Sequence, residues 1–358
     1  MDSNGFKMKI LVNTPNYNNP SSGGVASFYY GMLGYWNEDV KYNVVGRRKN
    51  ISGAIWLPFD AIKFIYKLFF WRPDMVVVNP SLFMDALLRD FFFLRIARLL
   101  GFPVSVIIHG FNLEVAHTIN HQWVSRNLNK ASLVMVLANQ FKDILKSWKV
   151  NVPIELITTK VEDRMLEGFD INARKGKVNN ILFLSRIVRE KGVYETIDTF
   201  AILKSKHPEL RLTMVGNGSE LEKLKNYVYK NHIKDVRFTG ALAGEERLRA
   251  YREADFFFFS SYGEGMPTVV LEAMAFGLPV VTRTVGGLVD FFEDGKMGRI
   301  TDSLDPKIFA ELVEPYMNDS EYCLRTSRYN YDYAKEHFMA TKVGRKIEKL
   351  LNVQLQKR

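Results

Sequence analysis

Eight short, largely apolar runs, separated by stretches with helical patterning, set the limits on how this chain can fold. They are Ile10 to Val12, Met75 to Val78, Val104 to Ile108, Ile181 to Leu184, Leu212 to Val215, Val236 to Thr239, Phe256 to Phe259 and Val280 to Thr282. Each is too short for a buried helix. Strands buried on both faces read this way, and they belong to parallel sheets covered by helices on both sides. The intervening segments include helices from Val25, over Leu82 to Leu100, up to about Lys206, and from Glu220, Glu245 and about Thr268. An α/β architecture with parallel sheets follows.

At 358 residues the chain suits two such domains better than one. The loop-rich, charged stretch from Lys160 to Asn180, which contains Arg174-Lys175-Gly176-Lys177, reads as the linker. The expected division is an N-terminal domain over 1–165 and a C-terminal domain over 175–330. A terminal helix over 331–358, with apolar and charged residues at helical spacing, is expected to pack back toward the first domain. Two doubly wound domains imply an interdomain cleft. Ligands of open parallel sheets sit outside the carboxyl ends of the strands, so residues that directly follow a strand are the candidates for function.

Composition narrows the classes. The single cysteine, Cys323, supports neither a disulfide framework nor a zinc-ligand set. The opening MDSNGFKMKILVNTP has no signal-peptide core, and no run approaches the ~18 apolar residues of a membrane span, so a cytoplasmic protein is expected. The net charge of +10 and pI of about 9.4 favour a polyanionic partner. Zinc-finger spacing and RNA-recognition motifs are missing, which disfavours nucleic acid and leaves phosphorylated small molecules or anionic lipid. The aromatic stretch Trp56 to Trp71, with Lys63 and Lys67, and the later Arg89 to Arg95 fit two roles. They are either core helices or an aromatic, basic surface for peripheral contact with an anionic membrane.

One segment carries the most chemistry. The run Phe256 to Phe259 leads through Ser260-Ser261-Tyr262-Gly263-Glu264-Gly265-Met266-Pro267 into a helix that begins at Thr268 and contains Glu272. A helix N-terminus offers backbone N–H groups and partial positive charge to a phosphate, and the glycines let it approach closely. Taken alone, the glutamates also fit an exposed loop acid and a first-turn helix acid favoured by the helix dipole. Arg186 and Lys191 follow the strand ending at Leu184 and could neutralise a departing diphosphate. Gly216 and Gly218 end another strand, with a turn as their simplest role. His109 directly follows Val104 to Ile108, and Gly23 and Gly24 sit in the loop after the first strand.

These segments closely resemble the retaining glycosyltransferases of family 4, glycosyl transferases group 1. Glu264 and Glu272 match the family's Glu-x7-Glu signature, followed by Ala275-Phe276-Gly277-Leu278-Pro279-Val280-Val281, and Arg186 with Lys191-Gly192 matches its Gly-Arg-x4-Lys-Gly element. The resemblance implies the GT-B fold, two doubly wound Rossmann-like domains facing an interdomain cleft, with acceptor binding in the first and nucleotide-sugar binding in the second. It implies Glu264 on the transferred sugar, Glu272 on the ribose hydroxyls, and the segment Gly265, Met266, Pro267, Thr268 and Val269 holding sugar and diphosphate. Gly216 is placed among the donor-binding residues. His109 would touch the donor sugar, Gly23 and Gly24 donor phosphate or acceptor, and Arg186 and Lys191 the leaving group. It further implies a nucleoside diphosphate sugar as donor, a carbohydrate or lipid-linked saccharide as acceptor, and neither a cofactor nor an obligatory metal, since no Asp-x-Asp pair is present. Bacterial surface polysaccharide assembly is the setting this suggests. Two departures are visible: Ser185 where the family usually has Gly, and Thr158-Thr159-Lys160-Val161 where it often has Asn-Gly-Val-Asp.

Other functions fit the same architecture less well. A sugar-nucleotide epimerase or hydrolase would convert donor without acceptor, and a non-catalytic GT-B subunit would have no need of Arg186, Lys191, Glu264 and Glu272 together. A dinucleotide-binding protein would show Gly-x-Gly-x-x-Gly after the first strand, which this chain lacks.

Overall fold

All eight apolar runs form strands in the computed structural model, which describes residues 7–18, 23–48, 51–111 and 113–357. The chain divides into unit 1, residues 1–160 with 340–358, and unit 2, residues 161–339. Unit 1 contains β1 (Lys9–Thr14), α1 (Gly24–Gly31), β2 (Asp39–Val44), α2 (Gly53–Trp71), β3 (Met75–Val78), α3 (Met84–Leu99), β4 (Val104–Ile108), α4 (Leu113–Thr118), α5 (His121–Leu128), β5 (Leu133–Val136), α6 (Asn139–Ser147) and β6 (Ile154–Leu156). Unit 2 contains β7 (Asn180–Leu184), α7 (Val193–Lys206), β8 (Arg211–Val215), α8 (Leu221–Lys230), β9 (Val236–Gly240), α9 (Gly244–Glu253), β10 (Phe256–Phe259), α10 (Thr268–Ala275), β11 (Val280–Arg283), β12 (Gly298–Thr301), α11 (Pro306–Asn318) and α12 (Ser320–His337), and α13 (Ala340–Gln356) returns to unit 1.

Each unit holds one six-stranded sheet whose ladders are all parallel among the described residues. The orders are β2-β1-β3-β4-β5-β6 and β12-β11-β10-β7-β8-β9. The second is the doubly wound dinucleotide-type order, and in both the strand order reverses beside the first strand of the unit, at β1/β3 and at β7/β10. Three of the strands that the apolar runs did not announce, β2, β6 and β12, lie at sheet edges, where half-exposure favours mixed sequences such as DVKYNV and GRIT. β10 is the opposite case. Phe256 and Phe258 enter the core on one face and Phe257 and Phe259 the core on the other, all fully buried, each contributing roughly 2–3 kcal/mol of burial.

Two expectations are corrected. The stretch from Lys160 to Asn180 is not a free linker, since from Val161 onward it packs on unit 2. The Arg174 guanidinium donates to the carbonyls of Tyr251, Arg252, Ala254 and Phe276, closing the C-terminal ends of α9 and α10, and burial lowers its pKa to about 10. The charged composition that reads as a linker includes a charge that serves as a cap. The terminal stretch 331–358 is likewise not one helix. α12 ends at His337, and the Val161 N–H donates to the Phe338 carbonyl at 2.7 Å, pinning that turn to unit 2. Only α13 joins unit 1, where Glu348 accepts from the backbone N–H groups of Asn37 (2.7 Å) and Glu38 (3.0 Å) and from the Asn37 side chain.

Candidate functional site

The reversal point of unit 2 lies between β7 and β10, and the loops leaving their carboxyl ends are stapled together. The Ser260 hydroxyl donates to the Gly192 carbonyl at 2.8 Å, and the Tyr262 N–H donates to the Glu190 carbonyl at 2.8 Å. Gly192 has φ of +70°, and a Cβ there would stand 2.3 Å from the Ser260 carbonyl oxygen, so glycine is required twice over.

This stapling brings Lys191 to Glu264. The Lys191 ammonium bonds Glu264 Oε1, which also accepts from the Ser261 hydroxyl at 2.8 Å, and both charged side chains are mostly buried. Oε2 of Glu264 has no hydrogen-bond partner among the described residues. Glu272, on the second turn of α10, is not the first-turn helix acid of the simpler reading. It is buried, with Oε2 accepting from the Tyr251 hydroxyl at 2.7 Å and from the Arg247 guanidinium, both on α9, while Oε1 is again unpartnered among the described residues. The Glu272 charge raises the pKa of Arg247, and burial followed by that same charge raises the Tyr251 phenol. Each glutamate is thus fixed through one oxygen and open at the other. Arg186 is exposed and its guanidinium has no partner among the described residues. Ser261, Arg247 and Tyr251 were not singled out from the sequence; Arg247 and Tyr251 stand four apart in a charged helix, a spacing that surface helices share.

Two glycine turns shape the loops from behind. Gly216 (φ +144°) would place a Cβ 1.8 Å from the Ser185 carbonyl oxygen, and the Ile187 N–H donates to the Asn217 carbonyl at 2.9 Å. Gly216 therefore sets the loop that carries Arg186. Gly286 (φ +53°) lies against the carbonyls of Gly265 and Glu264, and the Gly287 N–H donates to Gly265 O at 2.8 Å. The Gly286-Gly287 pair was also not anticipated as part of the site. Within the α10 entry, Pro267 has no N–H and so offers a ligand none. It forms the N-cap of α10, where no side chain supplies a capping bond. Met266 and Val269 turn their side chains to the core, which leaves Gly265, Met266 and Val269 to act through their backbones.

In unit 1, His109 follows β4 and Asn79 follows β3. Asn79 Nδ2 donates to the Asn13 carbonyl (2.9 Å), and its Oδ1 accepts from the Tyr29 hydroxyl (2.6 Å) and lies 3.1 Å from His109 Nε2. That acceptor fixes the proton on Nε2, and Nδ1 is an acceptor with no partner among the described residues. Burial lowers the imidazole pKa to about 3. Folding thus opposes protonation, and the unfolded chain holds the proton more tightly between about pH 3 and the unperturbed value near 6.5. Stability is full above that window and falls as pH drops through it, by up to ~1.4 kcal/mol per pH unit. All five tryptophans lie in unit 1, so urea unfolding followed by tryptophan fluorescence reports this unit. The difference in unfolding free energy between wild type and His109→Gln is expected to shrink with falling pH over that window. A constant difference would mean that the folded imidazole ionises normally. Gly23 (φ +144°) precedes α1 in a conformation other residues avoid, and a Cβ on either Gly23 or Gly24 would meet nothing within 4 Å. Local packing therefore gives no reason for glycine at 24.

A groove of about 600 Å³ in unit 2 is lined by the residues that open β7 to β10, among them Asn180, Arg211, Val236 and Asp255. It includes none of Arg186, Lys191, Glu264 and Glu272. Arg186, Lys191 and Glu264 stand on the segments that leave the carboxyl edge and Glu272 on the helix that follows, where cations can meet a phosphate and open carboxylate oxygens can accept from hydroxyls. Among the described residues no group of three His, Cys, Asp or Glu side chains could hold a metal ion.

Residues 166–333 match the family glycosyl transferases group 1, a span within unit 2. The chain is 24% identical over 209 residues to the capsular polysaccharide biosynthesis glycosyltransferase CapM of Staphylococcus aureus, which covers 58% of this chain and 52% of CapM. It spans about half the length of the curated relatives it matches, or less. Sucrose-phosphate synthase from Thermosynechococcus elongatus superposes with a TM-score of 0.74 at 16% identity, over 98% of this chain and 100% of that one. Anabaena HepE, solved in complex with UDP and glucose, gives 0.70 at 18% identity over 96% and 99%. At these identities the structural likeness establishes the fold alone, two Rossmann-like domains of the GT-B type.

Proposed function

We propose, from the premise that residues 166–333 belong to the group 1 glycosyl transferases, that this chain moves a sugar from a nucleoside diphosphate sugar to a hydroxyl acceptor with retention at the anomeric carbon. The observation that carries the reading is the pair of glutamates at the β7/β10 reversal point, each fixed through one oxygen and open at the other. A sugar or ribose diol presents neutral O–H donors, which an ionised carboxylate accepts well; a diphosphate presents only acceptors and is held instead by cations and amides. Glu272 then takes the ribose, Glu264 the transferred sugar, and Arg186, Lys191 and the α10 entry the diphosphate. The same reading assigns His109, Gly23 and Gly24 of unit 1 to the donor.

In the reaction we infer, the bond from the anomeric carbon to the diphosphate oxygen breaks as the acceptor oxygen bonds the same face. The acceptor proton passes to the leaving phosphate oxygen, whose charge Arg186 and Lys191 meet. No metal or cofactor takes part. The relatedness to CapM makes surface polysaccharide assembly in the cytoplasm the setting we favour. Thermal shifts over a panel of nucleoside diphosphate sugars are expected to pick out a stabilising donor, and Glu272→Gln should weaken that donor by about 1.5–3 kcal/mol, roughly ten- to a hundredfold in Kd. A panel in which no donor stabilises the wild type, or a variant with unchanged affinity, would overturn the donor assignment. Anomeric NMR of the product tests stereochemistry separately, with inversion excluding the same-face reaction, and rapid turnover of donor without acceptor would point to an epimerase or hydrolase.

A further inference from the structure

The outer face of α2 is apolar where a helix of this kind should be charged. Phe64, Leu68 and Asp60 face inward, while Ile55, Phe59, Ile62, Tyr66, Phe69 and Phe70 recur at helical spacing on the opposite face, each 55–76% exposed. The Tyr66 and Phe70 rings stack at 4.3 Å on that surface. Lys63 is exposed beside the row, and the Lys67 ammonium turns away to the Tyr42 carbonyl at 2.7 Å. α3 repeats the pattern with Met84, Leu88, Phe92 and Leu99 exposed at i, i+4, i+8 and i+15, interrupted by exposed Arg95. Because the β2-to-β3 and β3-to-β4 crossovers advance in one direction along the sheet, right-handedness places α2 and α3 on the same sheet face. The Phe64 and Phe93 rings meet edge-on at 5.1 Å between them. An exposed apolar surface of this extent marks an interaction site.

We propose that this surface seats unit 1 on an anionic phospholipid bilayer. Charge chooses the occupant. Unit 1 has 24 lysines and arginines against 11 aspartates and glutamates, a net +13, whereas unit 2 has 25 against 28, a net −3. The excess that makes the whole chain basic is therefore confined to the unit with the apolar face, the combination that holds a protein at an anionic interface. No helix among the described residues is long and apolar enough to cross a membrane, so α2 lies on the bilayer. The inference does not depend on which donor is used.

The test is co-sedimentation of the full chain with vesicles of phosphatidylcholine alone and of phosphatidylcholine mixed with phosphatidylglycerol. Binding is expected to the mixed vesicles, weakening as salt rises and falling at least about tenfold in Ile62→Ser/Phe70→Ser. Both positions face outward, so the tryptophan-monitored unfolding midpoint should hold; Phe59→Ser/Leu88→Ser serves as the second variant if it does not. Wild type that ignores mixed vesicles, or folded variants that bind as wild type, would overturn the proposal. So would a wild-type dimer, seen by light scattering, that the variants abolish while vesicle binding stays absent, because a second copy would then cover the face. None of these readouts uses the transfer reaction, so their failure is distinct from failure of the proposed activity.

Discussion

Lys191→Ala is expected to lower the turnover of sugar transfer by about 10²–10³, the loss usual when one charge-stabilising donor is removed from a developing anion. The residual activity would rest on Arg186, five residues earlier, exposed and unpartnered among the described residues. Lys191 is bound to Glu264 before any donor arrives, so its removal acts twice, taking a cation from the leaving group and releasing a mostly buried carboxylate from its partner. Glu264 would keep only the Ser261 hydroxyl, and the sugar it is to orient would be held less firmly. The loss should fall on kcat more than on KM, because the leaving oxygen carries most charge in the transition state. A Lys191→Ala, Glu264→Gln cycle should be clearly less than additive, as expected for groups acting as a unit. Stopped assays with the donor that stabilises wild type decide this. A variant with wild-type kcat, or two losses that simply multiply, would remove the pair from the chemistry.

Much of this site was legible because the residues that bear it directly follow strands that announce themselves. Phe256 to Phe259 can only be a doubly buried strand, and what comes after such a strand in a parallel sheet lies at its open edge. His109, Arg186, Lys191 and Glu264 stand out as candidates in this way. What was not legible depends on approach between segments far apart in sequence. Arg247 and Tyr251 sit in GEERLRAYRE, a helix whose charge pattern is that of any solvated surface, and only folding turns two of those side chains onto Glu272. Arg174 had the same difficulty in reverse, since a basic cluster in a loop looks like a tether until its guanidinium meets four carbonyls. β5 is a different matter: LVMV carries the same apolar signal as the strands that were recognised and could have been read. For α2 the ambiguity is physical, because a helix apolar all round has no period that tells core from interface.

Gly286→Ala should show how far the site depends on contacts that no motif records. A Cβ at 286 would fall 2.1 Å from the Gly265 carbonyl oxygen and 2.5 Å from that of Glu264, on a backbone already in the left-handed region at φ +53°. The conformation alone costs a non-glycine residue about 1–2 kcal/mol, and the clash is with backbone, which cannot swing aside as a flexible side chain can. A total near 3–4 kcal/mol is expected, lowering the melting temperature of unit 2 by about 10 °C. Relief is available only by moving the 264–265 segment, and a displacement of about 1 Å at a positioning group is enough to cost ~10² in rate. Gly263→Ala is the matched control. It lies in the same loop, has open space where its Cβ would go and is not in the left-handed region, so it should leave the melting temperature close to wild type. Calorimetry and initial rates on the two variants separate the effects. If Gly286→Ala melts early but turns over normally while folded, the contact supports only the fold, and Glu264 must be positioned by Lys191 and Ser261 alone.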